Sequence, residues 1–238
     1  MTTSTNPADS EYLSQYLVDA AWVQAHRDDP NVVLVDIDGD AGYQRGHIPT
    51  AVMLPSNYER DPVGGLVSTF PPEKFAATCE SLGIGDTTQV VAYDHNMSLY
   101  AARFWWVLNY YGHTNMKVLD GGWRRWVTEG RPVSFEQAVP VTGLKFTPKT
   151  DDMLMGTLDQ VRAACDGGDA VIWDVRTSSE YDGTVTRAGL RPGHISGAVN
   201  LEWADLMSRE THRFKPLEQI RALMNERGIT PDKAVFAY

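Results

Sequence analysis

The chain has 238 residues, enough for one large domain or two of ordinary size, and its 42% hydrophobic and 22% charged residues suit a buried core rather than a disordered tail. Lys plus Arg number 21 against 31 Asp plus Glu, a net charge of −10, which argues against nucleic acid or an anionic membrane surface as partner. Residues 1–11 are polar with no basic stretch leading into an apolar one, and the longest apolar run, residues 104–108, is too short to span a bilayer. Neither a signal peptide nor a membrane span is expected, and the cytosol is the default compartment.

In chain order, an apolar strand Val32-Val-Leu-Val-Asp36 comes first, followed by Arg45-Gly-His-Ile-Pro-Thr-Ala-Val-Met-Leu54. A helix then opens with Pro71-Pro-Glu-Lys-Phe75, since proline is tolerated at the first helical position, where its missing N–H has no partner to lose. Gly83 ends that helix as a left-handed cap, and the strand Gln89-Val-Val-Ala-Tyr93 follows. Asp94 leads into a helix over residues 98–111, stopped by Gly112. Asp94 or Asn96 is expected to cap it. Phe104-Trp105-Trp106 and Tyr110-Tyr111 recur at helical spacing and read as packing residues. A strand over residues 116–119 and the stretch Asp120-Gly-Gly-Trp-Arg-Arg-Trp126 close this half. Residues 134–152 lack periodicity and read as a linker between domains at 10–133 and 153–238.

The second half repeats the first. Ala170-Val-Ile-Trp-Asp174 leads to Arg191-Pro-Gly-His-Ile-Ser-Gly-Ala-Val-Asn-Leu201, then Pro216-Leu-Glu-Gln-Ile220, a stop at Gly228 and the strand Ala234-Val-Phe-Ala-Tyr238. Ten residues separate Gly83 from Tyr93, and ten separate Gly228 from Tyr238. Short Val/Ile/Ala strands alternating with helices give an α/β class with mainly parallel sheets flanked by helices. The first copy continues 39 residues beyond Tyr93, to Pro132, and the second has no counterpart to them. The second domain therefore reads as incomplete, with a C-terminal piece of about 40 residues expected beyond it.

The two cysteines cannot form a zinc ribbon, a disulfide framework or a C-x-x-C pair. Cys79 shares a helical stripe with Phe75 and Leu82, and Cys165 shares one with Leu158 and Val161, so both read as core residues rather than nucleophiles.

The repeated motifs resemble the tandem rhodanese family of thiosulfate and 3-mercaptopyruvate sulfurtransferases. Its first signature, an aromatic, three residues and then His-Ile-Pro-Gly-Ala, reads Tyr43-Gln-Arg-Gly-His47-Ile48-Pro49-Thr50-Ala51 in the first copy, with Thr50 in place of glycine. The second copy has His194-Ile195-Ser196-Gly197-Ala198, with Leu190 at the aromatic position. Asp120-Gly121-Gly122-Trp123 is similar to the second signature. The resemblance implies two tandem rhodanese-like domains and a nucleophilic cysteine directly after Tyr238. It implies a persulfide route from a small anionic sulfur donor, thiosulfate or 3-mercaptopyruvate, to a thiol, cyanide or thioredoxin-like acceptor. It also implies that no metal or organic cofactor is needed. Asp94 stands at the nucleophile position of the first copy, where a carboxylate cannot carry sulfane sulfur, so that copy is expected to be inert. As given, the chain lacks the catalytic cysteine of the second.

Arg176 closes the second-copy strand and aligns with Ile37, while Arg187 and Arg191 fall in an insertion that follows Tyr181. These arginines read either as ligands for a sulfonate or carboxylate donor, Arg176 and Arg187 above all, or as surface residues. Glu180 stands where many family members carry a donor-binding arginine, which places an acidic group on the donor side. Asp36 and Asp174, His47 and His194 occur in both copies and are expected to hold turns and strand ends rather than act as bases, and Tyr238 borders the expected site. Two other readings fit the fold: a non-catalytic binding or regulatory module, and an arsenate reductase or dual-specificity phosphatase, which needs a longer Cys-x5-Arg loop.

Overall fold

The structure, a computed structural model, describes residues 7–55, 71–186 and 191–238. Two compact units emerge, one built from the chain up to Asp152 together with Glu210–Arg213, the other from Met153–Arg209 and Phe214–Tyr238.

In the first unit the order is α1 (Pro7–Ser14), β1 (Leu17–Val18), α2 (Ala20–His26), β2 (Val32–Asp36), α3 (Gly39–Gln44), β3 (Val52–Met53), α4 (Pro72–Ser81), β4 (Gln89–Tyr93), α5 (Leu99–Tyr110), β5 (Met116–Leu119) and α6 (Gly122–Thr128). The five strands form a parallel sheet ordered β1-β5-β4-β2-β3. Successive side chains of a strand face opposite ways. Val90 and Ala92 of β4 accordingly join Phe75, Phe104 and Leu108 on one face, while Val91 and Tyr93 join Val23, Leu119 and Trp126 on the other. Both faces are covered, which is why these strands read as unbroken apolar runs. Phe104 is buried, and Trp105, Trp106 and Tyr110 pack partly buried against the same cluster.

Proline opens the first of the repeated helices as expected, with Pro72 the first residue of α4, whereas Pro216 stands one position before α9. Pro71 and Pro216 are both N-caps, with φ of −49° and −50°. Gly83 and Gly228 adopt the left-handed conformation at the helix ends, with φ of 77° and 70°. Residues 134–152, expected as a linker, run along the first unit. His47 and Ser134 exchange two backbone hydrogen bonds, Asp86 N–H donates to the Lys145 carbonyl, and Phe146 is buried in the core. Lack of periodicity marked an irregular segment there, but not a free one.

The second unit contains α7 (Leu158–Gly167), β6 (Ala170–Asp174), α8 (Ser178–Tyr181), β7 (Val199–Asn200), α9 (Leu217–Asn225) and β8 (Ala234–Ala237). Its parallel sheet is ordered β7-β6-β8, which matches β3-β2-β4 of the first unit. β8 lies at the sheet edge and its Val235 is exposed.

Candidate active site

In open α/β sheets the carboxyl ends of the strands are where ligands bind. At those ends the two units share a set of hydrogen bonds. Ile48 N–H donates to the Tyr93 hydroxyl at 3.0 Å, and Ile195 N–H to the Tyr238 hydroxyl at 2.9 Å. Leu54 and Leu201 N–H donate to the carbonyls of Asp36 and Asp174. Tyr43 and Tyr181 hydroxyls donate to the carbonyls of Ala51 and Ala198, at 2.8 and 2.9 Å. His47 stacks on Tyr43 with 3.6 Å between ring centroids, and His194 on Tyr181 with 3.7 Å. Each histidine Nδ1 bonds its own tyrosine's carbonyl.

This match corrects two sequence expectations. The aromatic of the second copy is Tyr181, and Leu190 lies outside the described residues. The partners are four residues apart in the first unit and thirteen in the second, so an insertion separates residues that still stack in space. The counterpart of Arg176 is Asp38, not Ile37. Asp38 N–H and Arg176 N–H donate to Oδ1 of Asp36 and Asp174 at 2.8 and 2.9 Å, while Ile37 and Val175 N–H donate to the carbonyls of Tyr93 and Tyr238.

Arg176 is heavily engaged. Its Nε and Nη2 form a fork on the two carboxylate oxygens of fully buried Asp174, Nη2 also donates to the Gly193 carbonyl at 2.9 Å, and the guanidinium lies 5.3 Å from the Tyr238 ring centroid. Burial pushes Asp174 up, but the Arg176 side chain and N–H and the Tyr238 hydroxyl outweigh it and leave the carboxyl below its ordinary value. The Asp174 partner in turn raises Arg176. Arg176 thus ties a strand end to the Gly193-His194 turn and lies beside the ring of Tyr238. Glu180 folds back as the third residue of α8 in a capping box with Thr177. That bond gives the glutamate a local reason to be there. Arg191 is exposed, and Arg187 lies outside the described residues.

The loop that begins at the equivalent point of the first unit is fully described. Oδ1 of Asp94 accepts from the N–H groups of Asn96 and Ser98 at 2.8 and 2.9 Å, and Oδ2 from Tyr100 and Ala101 at 2.9 and 2.8 Å. Asp94 thereby caps α5 from five residues upstream of Leu99, whereas Asn96 contributes its backbone. Burial raises the Asp94 carboxyl, and the N–H groups of Ala101, Ser98 and Asn96 oppose the rise. The glycine pair of Asp120-Gly121-Gly122-Trp123 finds its purpose here. Trp123 N–H donates to the Asp94 carbonyl at 3.0 Å, and a Cβ on Gly122, at φ +49°, would collide with that carbonyl. Asp38 also accepts from both the N–H and the ring Nδ1 of His95, the residue after Asp94. Sequence reasoning missed Asp38, His95 and Gly122, although the glycine pair was in view.

Cys79 is fully buried and its thiol is pushed up by burial, then by Glu80. Cys165, expected in the core, is exposed. The inward side of α7 runs through Val161 and Ala164, only to half-buried depth, and leaves Leu158 and Cys165 outside. Neither cysteine lies at a strand end. Among the described residues no group of three or more His, Cys, Asp or Glu is placed to hold a metal, and no helix is long and apolar enough to cross a membrane.

Comparison with known proteins agrees with this geometry. The profile of the Rhodanese-like domain matches residues 19–129 and 157–238. "Sulfur carrier protein TtuD" of Thermus thermophilus is 35% identical over 237 residues, covering 94% of this chain and 82% of the relative. "Thiosulfate sulfurtransferase" of Gallus gallus is 30% identical, covering 96% and 83%. The crystal structure of SseA from Escherichia coli, described under 3-mercaptopyruvate sulfotransferases, superposes with a TM-score of 0.83 at 27% identity, over 93% of this chain and 87% of that one. Wild-type EanB shares the fold, with a TM-score of 0.83 at 21% identity. With the profile present twice and the strand-end bonds repeated in both units, the chain belongs to the rhodanese family as a tandem member.

Proposed function

We propose that the protein is a sulfurtransferase whose second unit moves sulfane sulfur from thiosulfate or 3-mercaptopyruvate to a thiophilic acceptor through a persulfide on a cysteine directly after Tyr238. The names of the relatives support sulfur transfer as the class of reaction. The observation that carries the finer reading is the Asp94 cradle. The residue after Tyr93 holds its side-chain anion on four backbone N–H groups. Tyr238 matches Tyr93 in its bonds to the neighbouring strand and to the Ile-x-x-Ala turn. A thiol at the next position would enter the same kind of nest, where N–H dipoles at a helix start favour the thiolate.

The thiolate attacks the outer sulfur of thiosulfate, the S–S bond to the sulfonate sulfur breaks, and its electron pair leaves with sulfite. A persulfide anion remains on the enzyme. Cyanide or an acceptor thiolate then takes the outer sulfur and restores the cysteine thiolate. In the first unit a carboxylate fills the corresponding place, so that unit serves as a scaffold. The test is the full-length protein incubated with each donor in turn. The expected result is a gain of one sulfur atom on the cysteine after Tyr238, with sulfite or pyruvate released and the gain reversed by cyanide. A residue other than cysteine at that position, or no sulfur gained from either donor, overturns the proposal.

A further inference from the structure

We infer that Asp94 is a built-in anion that seals a carboxylate-binding cradle in the first unit, and that the cradle, once emptied of its own side chain, takes up a free carboxylate. The geometry suits a planar two-oxygen anion rather than a point charge. Each oxygen of Asp94 receives two N–H groups, Asn96 and Ser98 on one and Tyr100 and Ala101 on the other, all between 2.8 and 2.9 Å. Tyr100 and Ala101 are the second and third residues of α5, a helix of 12 residues, so its dipole adds to their pull. The Ser98 hydroxyl is also buried in this loop and has no hydrogen-bond partner. The carboxylate is almost wholly enclosed, at 1% exposure, while the side chain of the next residue, His95, is 56% exposed.

Emptying the cradle leaves four donors without an acceptor, which is a costly state for buried N–H groups. An external carboxylate that restores those bonds binds the folded form alone and stabilises it by mass action. Formate has the atoms that Asp94→Ala removes, with one hydrogen in place of the chain. The consequence for the native protein is selectivity. With Asp94 in place the first unit offers no vacancy to a small anion, so a carboxylate or oxyanion donor meets no competing site there.

The test is thermal unfolding of full-chain Asp94→Ala in sodium formate, with sodium chloride at equal ionic strength as control and the parent protein alongside. The variant should gain about 3–6 °C once formate reaches some ten times its Kd, and the gain should saturate. No gain, or the same gain in chloride or in the parent protein, overturns the inference. Should Asp94→Ala fail to fold, Asp94→Ser, whose single hydroxyl leaves most of the cradle without an acceptor, is carried through the same formate and chloride titration. No formate-specific gain in that variant overturns the inference. Neither readout involves sulfur transfer, so the proposed function can fail without affecting it.

Discussion

Arg176 stands in the second unit where Asp38 stands in the first. Each lies two residues after a strand-end aspartate and donates its backbone N–H to that aspartate, at 2.9 and 2.8 Å. The side chains carry opposite charge, and the two buried carboxylates beneath them respond in opposite directions. Asp174, with the guanidinium fork on it, is held below its ordinary value, whereas Asp36 is raised to about 6. At Asp36 burial is the main cause and the Asp38 charge adds to it, whereas at Asp174 burial is outweighed by the Arg176 side chain and N–H, with the Tyr238 hydroxyl.

Replacing Arg176 by alanine should therefore unfold the second unit at lower denaturant. Asp174 is fully buried, and a buried ion pair broken on one side costs about 3–5 kcal/mol. Arg176→Lys keeps the charge but not the fork and should recover only part of that stability. In an active full-length protein both variants should also lose kcat/KM, because the Gly193 carbonyl and the face of Tyr238 lose their anchor. Urea unfolding of both variants checks the first expectation. Unchanged midpoints would mean that Asp174 is satisfied by other groups.

Glycine 122 offers a sharper test of the first-unit loop. Alanine there meets the Asp94 carbonyl and must hold φ near +49°, so Gly122→Ala should destabilise by about 2–4 kcal/mol. Gly130→Ala is the control. It also has a positive φ, of 67°, but nothing within 4 Å of its added methyl, and it should cost about 1 kcal/mol. Equal effects would show that backbone conformation alone, and not the approach to Asp94, requires glycine at position 122.

What could be read in advance follows a physical line. Val32–Asp36 and Gln89–Tyr93 are buried on both faces, and such strands write themselves as apolar runs, so the repeat and its α/β class were legible. The Tyr181–His194 stack was not, because an insertion broke the spacing that the first copy displays while the rings kept their contact in space. Asp94 signalled a capping role, but its four donors are backbone groups, and backbone groups leave no residue type to recognise. For Cys165 the helical spacing gave a direction around α7 and nothing about how deeply that helix sits. Arg176 and Asp38 have nothing in common as residue types, so their equivalence leaves no mark in the sequence. The hydrogen bond to Asp174, two residues back, fixes it.

The cysteines make a direct check on burial. Cys165 is exposed and should react with a thiol reagent in the native protein, whereas Cys79 is fully enclosed and further protected by its raised pKa. Time-resolved labelling followed by peptide mapping should find residue 165 modified first and residue 79 only as the first unit unfolds. Early labelling of Cys79 would contradict the packing of α4 against Phe104 and Leu108.

Asp36 gives a pH dependence whose sign follows from its surroundings. Burial is the main cause of its raised pKa of about 6. The Asp38 N–H and Tyr93 hydroxyl oppose the rise, and the Asp38 charge adds to it. A carboxyl raised in the folded state is unfavourable when ionised, so this contribution opposes folding above pH 6 and is relieved as pH falls toward the unfolded value of about 4. Over that window the folded form takes up a proton before the unfolded one does, and stability should rise on acidification. His113, lowered by burial, acts in the opposite direction below its unfolded pKa, so the parent protein alone cannot isolate the term. Comparison with Asp36→Asn does, because His113 is common to both. The asparagine retains an oxygen for the Asp38 N–H and loses the charge. It should be more stable than the parent by up to about 3 kcal/mol at pH 7.5, and the advantage should shrink to near zero by about pH 4. Urea unfolding of the pair at half-unit steps between these limits measures the difference. A difference that stays constant with pH would mean that Asp36 does not change its protonation between those limits, and that the Asp38 N–H and the Tyr93 hydroxyl alone stabilise the ion.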